Sequence, residues 1–237
     1  METQAAAEVW EAPRRSFNDD VEANAARLFA EGQAAFRWDT FGNEAFWGDE
    51  LGLHEALLQL TPRELLELGL KLDVSAMPAR LARGLRLDDP NTTADLLRAG
   101  AVVGVVVVQE RKRIVSVGVT CGLCHSTVDD VRMKGVGRRL DGWANPDLDV
   151  GALVSLAPGL ADSSREQLRS WGPGRCAVVD DDGAGFRPDP GRSAVSIPAV
   201  FGLAGRSIVA HPGWRSLAGN PKQPALHFYA LAIPRPQ

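Results

Sequence analysis

Residues 121 to 125 read Cys-Gly-Leu-Cys-His, directly after the β-branched run Ile114 to Val119 and a single Thr120. This C-x-x-C-H constrains the chain more than any other feature. Two thiols three positions apart reach the two vinyl groups of one porphyrin and become thioethers, while the imidazole that follows is delivered to the iron as proximal ligand. The spacing thus predicts one covalent haem c, with Cys121 and Cys124 as attachment points and His125 as metal ligand. Two other chemistries share the pattern. A redox C-x-x-C usually opens a helix in a thioredoxin-like βαβ unit, of which the sequence has no sign, and a zinc site needs further Cys or His nearby. The other cysteine is Cys176, and three cysteines cannot all pair, which argues against a disulfide framework.

The chain around the motif reads as mainly α. From near Asp20, apolar residues recur at 3- and 4-residue steps (Val21, Ala25, Leu28, Phe29), and the pattern predicts a helix that stops at Gly32. A second helix is expected over Leu51–Leu60, and a third opens at Thr61-Pro62, where an N-cap precedes Pro at the first helical position. Short helices are expected near Ser75–Leu85, Thr92–Arg98 and Leu148–Leu156, and one from Ser163, whose Ser163-Ser164-Arg165-Glu166 order is a capping box. Val102–Val108 and Ile114–Val119, joined by the polar QERKR, read as a β-hairpin. With 24 Gly and 15 Pro, concentrated after Trp171, the C-terminal part reads as loops. The expected organisation is a flexible N-terminus (1–19) and one cytochrome c-like helical haem domain (20–237), with a helical core to about 171 and a loop-rich wrap over 172–237.

A net charge of -4 gives no global field for nucleic acid, and the longest apolar run, Ala101–Val108, is strand-sized, so no membrane span is expected. The N-terminus also lacks the apolar h-region of a secretory signal.

Several longer stretches carry a resemblance: FRWDTFG with EAFW, LHEA, VGVTCGLCHSTVDD, GVGRRLDGWANPDL, SWGPG and IPAVFGLAG. Together they resemble bacterial c-type cytochromes related to the di-haem peroxidase group, over most of the chain from about residue 20. In that group a second C-x-x-C-H domain follows the segment resembling ALHFYALAIPRP, where this chain ends. With one haem motif, the expected function is electron transfer to a redox partner protein. A peroxidase-like haem enzyme, or one module of a di-haem peroxidase, is the alternative, and a haem-based ligand sensor is a second. Haem c attachment implies the bacterial periplasm.

The sixth iron ligand has several candidates. Met133 follows His125 by only 8 residues, too little chain to round the ring. Met77, His211 and His227 stay open. His54 is the favoured distal ligand, because it lies on a periodic helix inside the LHEA stretch and far from residue 125. Arg138 and Arg139 follow the motif closely enough for one of them to hold a haem propionate, and Trp143 is placed to pack on the porphyrin.

Overall fold

The computed structural model describes residues 16–176, 194–200 and 221–233. Helix α1 (Phe17–Trp38) starts at a capping box: the Ser16 Oγ accepts from the Asp19 N–H at 3.1 Å, and the Asp19 carboxylate accepts from the Ser16 N–H at 2.9 Å. Instead of stopping at Gly32 it runs six residues further. The reason is packing. At Gly32 the helix crosses α9 (Gln223–Ala232) so closely that a Cβ would lie 2.0 Å from the Ala225 carbonyl oxygen and 2.6 Å from the Tyr229 Cβ. Glycine serves close approach here and not termination. Gly32→Ala should therefore cost about 1–3 kcal/mol by urea denaturation, although Ala is the better helix former by about 1 kcal/mol. An unchanged or raised midpoint would mean that α9 is not seated at this crossing.

After a π-helical turn (Ala45–Glu50) come α2 (Leu53–Gln59), α3 (Pro62–Glu67), β1 (Leu72–Asp73), α4 (Ala79–Arg83) and α5 (Pro90–Arg98). Thr61 caps α3 as its sequence predicts, accepting from the Glu64 N–H at 3.3 Å, with Pro62 at the first helical position. The hairpin consists of β2 (Val105–Glu110) and β3 (Arg113–Val119), paired antiparallel. Its strands absorb most of the QERKR connection, leaving a tight turn at Arg111 and Lys112, both left-handed (φ 45° and 72°).

The motif forms α6 (Gly122–His125), followed by β4 (Ser126–Val128), β5 (Val136–Gly137), β6 (Arg139–Asp141), α7 (Val150–Val154), α8 (Asp162–Arg169), β7 (Arg175–Cys176) and β8 (Val195–Ser196). Helix α8 begins one residue before the expected start, and its N-cap is Ala161 with no side-chain cap. The Ser163 to Glu166 capping box does not form.

The mainly-α, cytochrome c-like fold expected from the sequence is overturned. Among the described residues 45% are helical and 17% strand, with the strands in several small sheets, which makes a mixed α/β fold. Four two-stranded sheets are seen among the described residues: β1 with β5 (parallel), and β2–β3, β4–β6 and β7–β8 (antiparallel). Six of these strands are only two or three residues long, too short to show a period-2 pattern, and β1 finds its partner 64 residues away, at Leu72↔Val136. Likewise α9 is a helix inside the stretch expected to be loops.

One apolar core, including Leu57, Leu65, Leu72, Leu96, Val102 and Leu153, lies among the short helices and the hairpin. A second, smaller one, with Phe36, Val200, Leu226, Tyr229 and Ile233, lies between α1 and α9. The C-x-x-C-H turn contributes to both.

Candidate functional site

Strand β3 delivers the chain to Thr120, whose backbone accepts from the Leu123 N–H at 3.0 Å and whose side chain accepts from the Gly122 N–H at 3.2 Å. The turn closes when the His125 N–H donates to the Cys121 carbonyl at 3.1 Å. It sits tightly on its surroundings at two glycines. Gly104, at φ 79°, lies so close to Leu123 that a Cβ would come within 2.1 Å of its backbone nitrogen, and a Cβ on Gly122 would fall 1.9 Å from the Arg139 guanidinium.

Two downstream segments are tied to the turn through backbone, one directly and the other through the first. The Gly142 N–H donates to the His125 carbonyl at 2.8 Å and the Asn145 N–H to the Cys124 carbonyl at 2.9 Å, while the Val200 N–H donates to the Gly142 carbonyl at 2.8 Å. These contacts bring together VTCGLCH, LDGWAN and IPAV.

The imidazole of His125 has its Nδ1 2.8 Å from the carbonyl oxygen of Pro198. A carbonyl only accepts, so in this contact Nδ1 carries the proton, and in the neutral ring Nε2 is then the acceptor nitrogen. That is the tautomer and support found for a metal-ligating histidine.

The cysteines lie in apolar surroundings, Cys121 against the α1–α9 cluster and Cys124 against the main core, where Cys176 also packs. Burial pushes the Cys121 thiol up to about 11 and that of Cys176 to about 11, and it raises Cys124 well above its usual value. All three are therefore protonated at neutral pH. A dithiol oxidoreductase needs the opposite, a thiolate stabilised by positive surroundings. Among the described residues no three His, Cys, Asp or Glu side chains are grouped to hold a metal ion. A pair of uncharged thiols beside an oriented imidazole fits the donor set that haem c requires.

Behind the turn lies a buried ionic cluster that sequence reasoning did not find. The Asp141 Oδ1 accepts from the Arg139 Nε at 2.6 Å and the Ser126 Oγ at 2.9 Å; its Oδ2 accepts from the Arg37 Nε at 2.6 Å and the Tyr229 hydroxyl at 2.5 Å. Burial alone would raise Asp141, but the charge of Arg139, the Tyr229 hydrogen bond and Arg37 outweigh it and hold the carboxyl below its ordinary range. Tyr229 is pushed up to about 12 by burial and by its bond to this carboxylate. The four partners come from α1, β4, β6 and α9, so no local pattern could have announced the cluster.

The remaining predicted residues separate. Arg138 is exposed and paired at the surface with Asp129 at 2.7 Å, whereas Arg139 is buried against the motif. Trp143 lies at the surface one residue after Gly142. His54 lines a different recess, of about 460 Å³, with Gly48, Glu50, Glu55, Val115 and Pro158, and its buried Nδ1 has no partner. The lining given for this recess includes no residue of the 121–125 turn. Met77 is buried in the main core, His227 lies on α9, and His211 lies outside the described residues.

No family model, curated protein or solved structure matches this chain. Among the described residues, no helix is long and apolar enough to cross a membrane.

Proposed function

We propose that this chain is an electron-transfer protein that carries one haem c on Cys121, Cys124 and His125. The observation that carries the proposal is the 2.8 Å contact of the His125 Nδ1 with the Pro198 carbonyl, the kind of support a metal-ligating imidazole has, immediately after the second cysteine. Bound haem supplies a one-electron couple. The residues around it do the rest: Cys121 and Cys124 fix the ring to α6, and Pro198 holds the proximal imidazole in orientation. Outer-sphere transfer needs no acid or base, only an immobilised group and apolar surroundings that keep the couple reversible. Its partner is a redox protein, and its compartment is the bacterial periplasm, where c-type haem is attached. The likeness of VGVTCGLCHSTVDD and IPAVFGLAG to c-type cytochromes supports the same reading.

Protein made together with haem-maturation machinery should show a reversible one-electron couple in spectroelectrochemistry, and its peroxide turnover with an artificial donor should stay at background. Turnover comparable to that of a complete peroxidase would move the chain to the enzyme class, and the lack of a reversible couple would remove electron transfer as its function.

A further inference from the structure

Arg139 is fully committed on one edge and idle on the other. Its side chain is 4% exposed, its Nε donates to Asp141 and lies 3.3 Å from the Ser126 Oγ, and the guanidinium carbon stands 6.0 Å from the centre of the Phe36 ring. Its Nη2 is buried and has no hydrogen-bond partner. That nitrogen lies against Gly122, inside the C-x-x-C-H turn.

A buried guanidinium donor without an acceptor is costly, and the surrounding charge does not remove the need for one. Asp141, the one carboxylate in hydrogen-bond contact with Arg139, is shared with Arg37, so two guanidiniums lean on a single carboxylate. Asp73 acts on both from beyond hydrogen-bond distance. The missing partner is an anion with a planar, acceptor-only group, which is what a guanidinium edge recognises best.

Resting on the haem reading above, we infer that Arg139 is a carboxylate clamp whose Nη2 donates to a haem propionate. Asp141 is its positioning residue: by holding Nε it aims the outer edge of the guanidinium at the motif, and Tyr229 and Arg37 hold Asp141 in turn. Arg138, spent on Asp129 at the surface, has no such role.

The test compares haem with its propionate dimethyl ester, each titrated into the reduced, haem-free chain and followed by the Soret band and intact mass. The ester should bind about 10- to 100-fold more weakly than haem to the native sequence, the range of one lost charge-assisted bond. In Arg139→Gln the two should bind alike, and Arg139→Lys should restore part of the difference. The native-sequence comparison stands even if Arg139→Gln fails to fold. A third titration uses propionate ion alone. If it raises the melting temperature of the native sequence but not of Arg139→Gln, while haem and ester bind equally, the clamp serves a free carboxylate and the haem assignment is overturned. Equal binding of haem and ester without any propionate effect overturns the clamp itself, with the haem reading intact wherever mass shows covalent attachment. Binding of neither haem nor ester, with no propionate effect, overturns both.

Discussion

Asp141→Ala is expected to destabilise the folded chain by about 3–5 kcal/mol, the cost of removing one partner from a buried ion pair. The carboxylate accepts four hydrogen bonds, from Arg37 on α1, Ser126 on β4, Arg139 on β6 and Tyr229 on α9. Its loss leaves two guanidiniums facing each other in apolar surroundings and frees α9 from the motif. Urea unfolding should show a lowered midpoint with little change in slope. Asp129→Ala makes the contrast, since the Arg138 side chain it pairs with is 71% exposed and such a pair contributes about 0–1 kcal/mol. The same carboxylate gives an acid signature. Its folded-state pKa lies below the unfolded one, so its contribution is present above the ordinary aspartate range near pH 4 and is lost as pH falls through the lower, folded value. An Asp141→Ala chain no less stable than Asp129→Ala would remove the cluster as the tie between α1, α9 and the haem motif.

The second large effect is alkaline and depends on whether haem is attached. An unfolded cysteine loses its proton near 9.0, whereas the folded Cys121 keeps it to about 11. Between these values the unfolded chain binds fewer protons than the native one, so stability falls as pH rises from about 9 to about 11. A shift of that size is worth about 2–3 kcal/mol for Cys121 alone, and Cys124 adds in the same direction. Thioethers do not titrate. The haem-loaded chain should therefore keep only the alkaline loss due to Cys176 and Tyr229, both of which also hold their protons more tightly when folded. Urea midpoints between pH 8 and 11 should fall more steeply for the haem-free chain. Parallel curves would mean that Cys121 and Cys124 stay free thiols in the loaded protein.

What could be read in the sequence was what local chemistry encodes. The C-x-x-C-H, the Thr61-Pro62 start of α3 and the β2–β3 hairpin are each specified within a few residues, and the last two are seen where they were expected. The reading failed where the deciding partner is remote. Gly32 looks like a stop signal until Ala225 and Tyr229 are placed against it. Strands of two residues, such as Val136–Gly137, exist only because Leu72–Asp73 lies alongside. His54 has the local setting of a ligand, and only the structure shows that its recess is shared with Val115 of β3 and Pro158. Arg138 and Arg139 are indistinguishable as neighbours in sequence, and only the positions of their carboxylate partners, Asp129 at the surface for one and buried Asp141 for the other, tell them apart. Pro198 belonged to a stretch noted for its resemblance, yet its role lies in a carbonyl that any residue carries.

The central claim is that Cys121 and Cys124 hold one haem, and intact mass combined with a pyridine haemochrome spectrum tests it most directly. Protein co-produced with haem-maturation machinery should gain the mass of one haem, its tryptic CGLCH peptide should carry that haem through two thioethers, and Cys176 should remain a free thiol. Replacing Cys121 and Cys124 together with Ser should abolish the gain. A chain of unmodified mass, with a Cys121–Cys124 disulfide or a bound zinc ion in place of the haem, would contradict the claim.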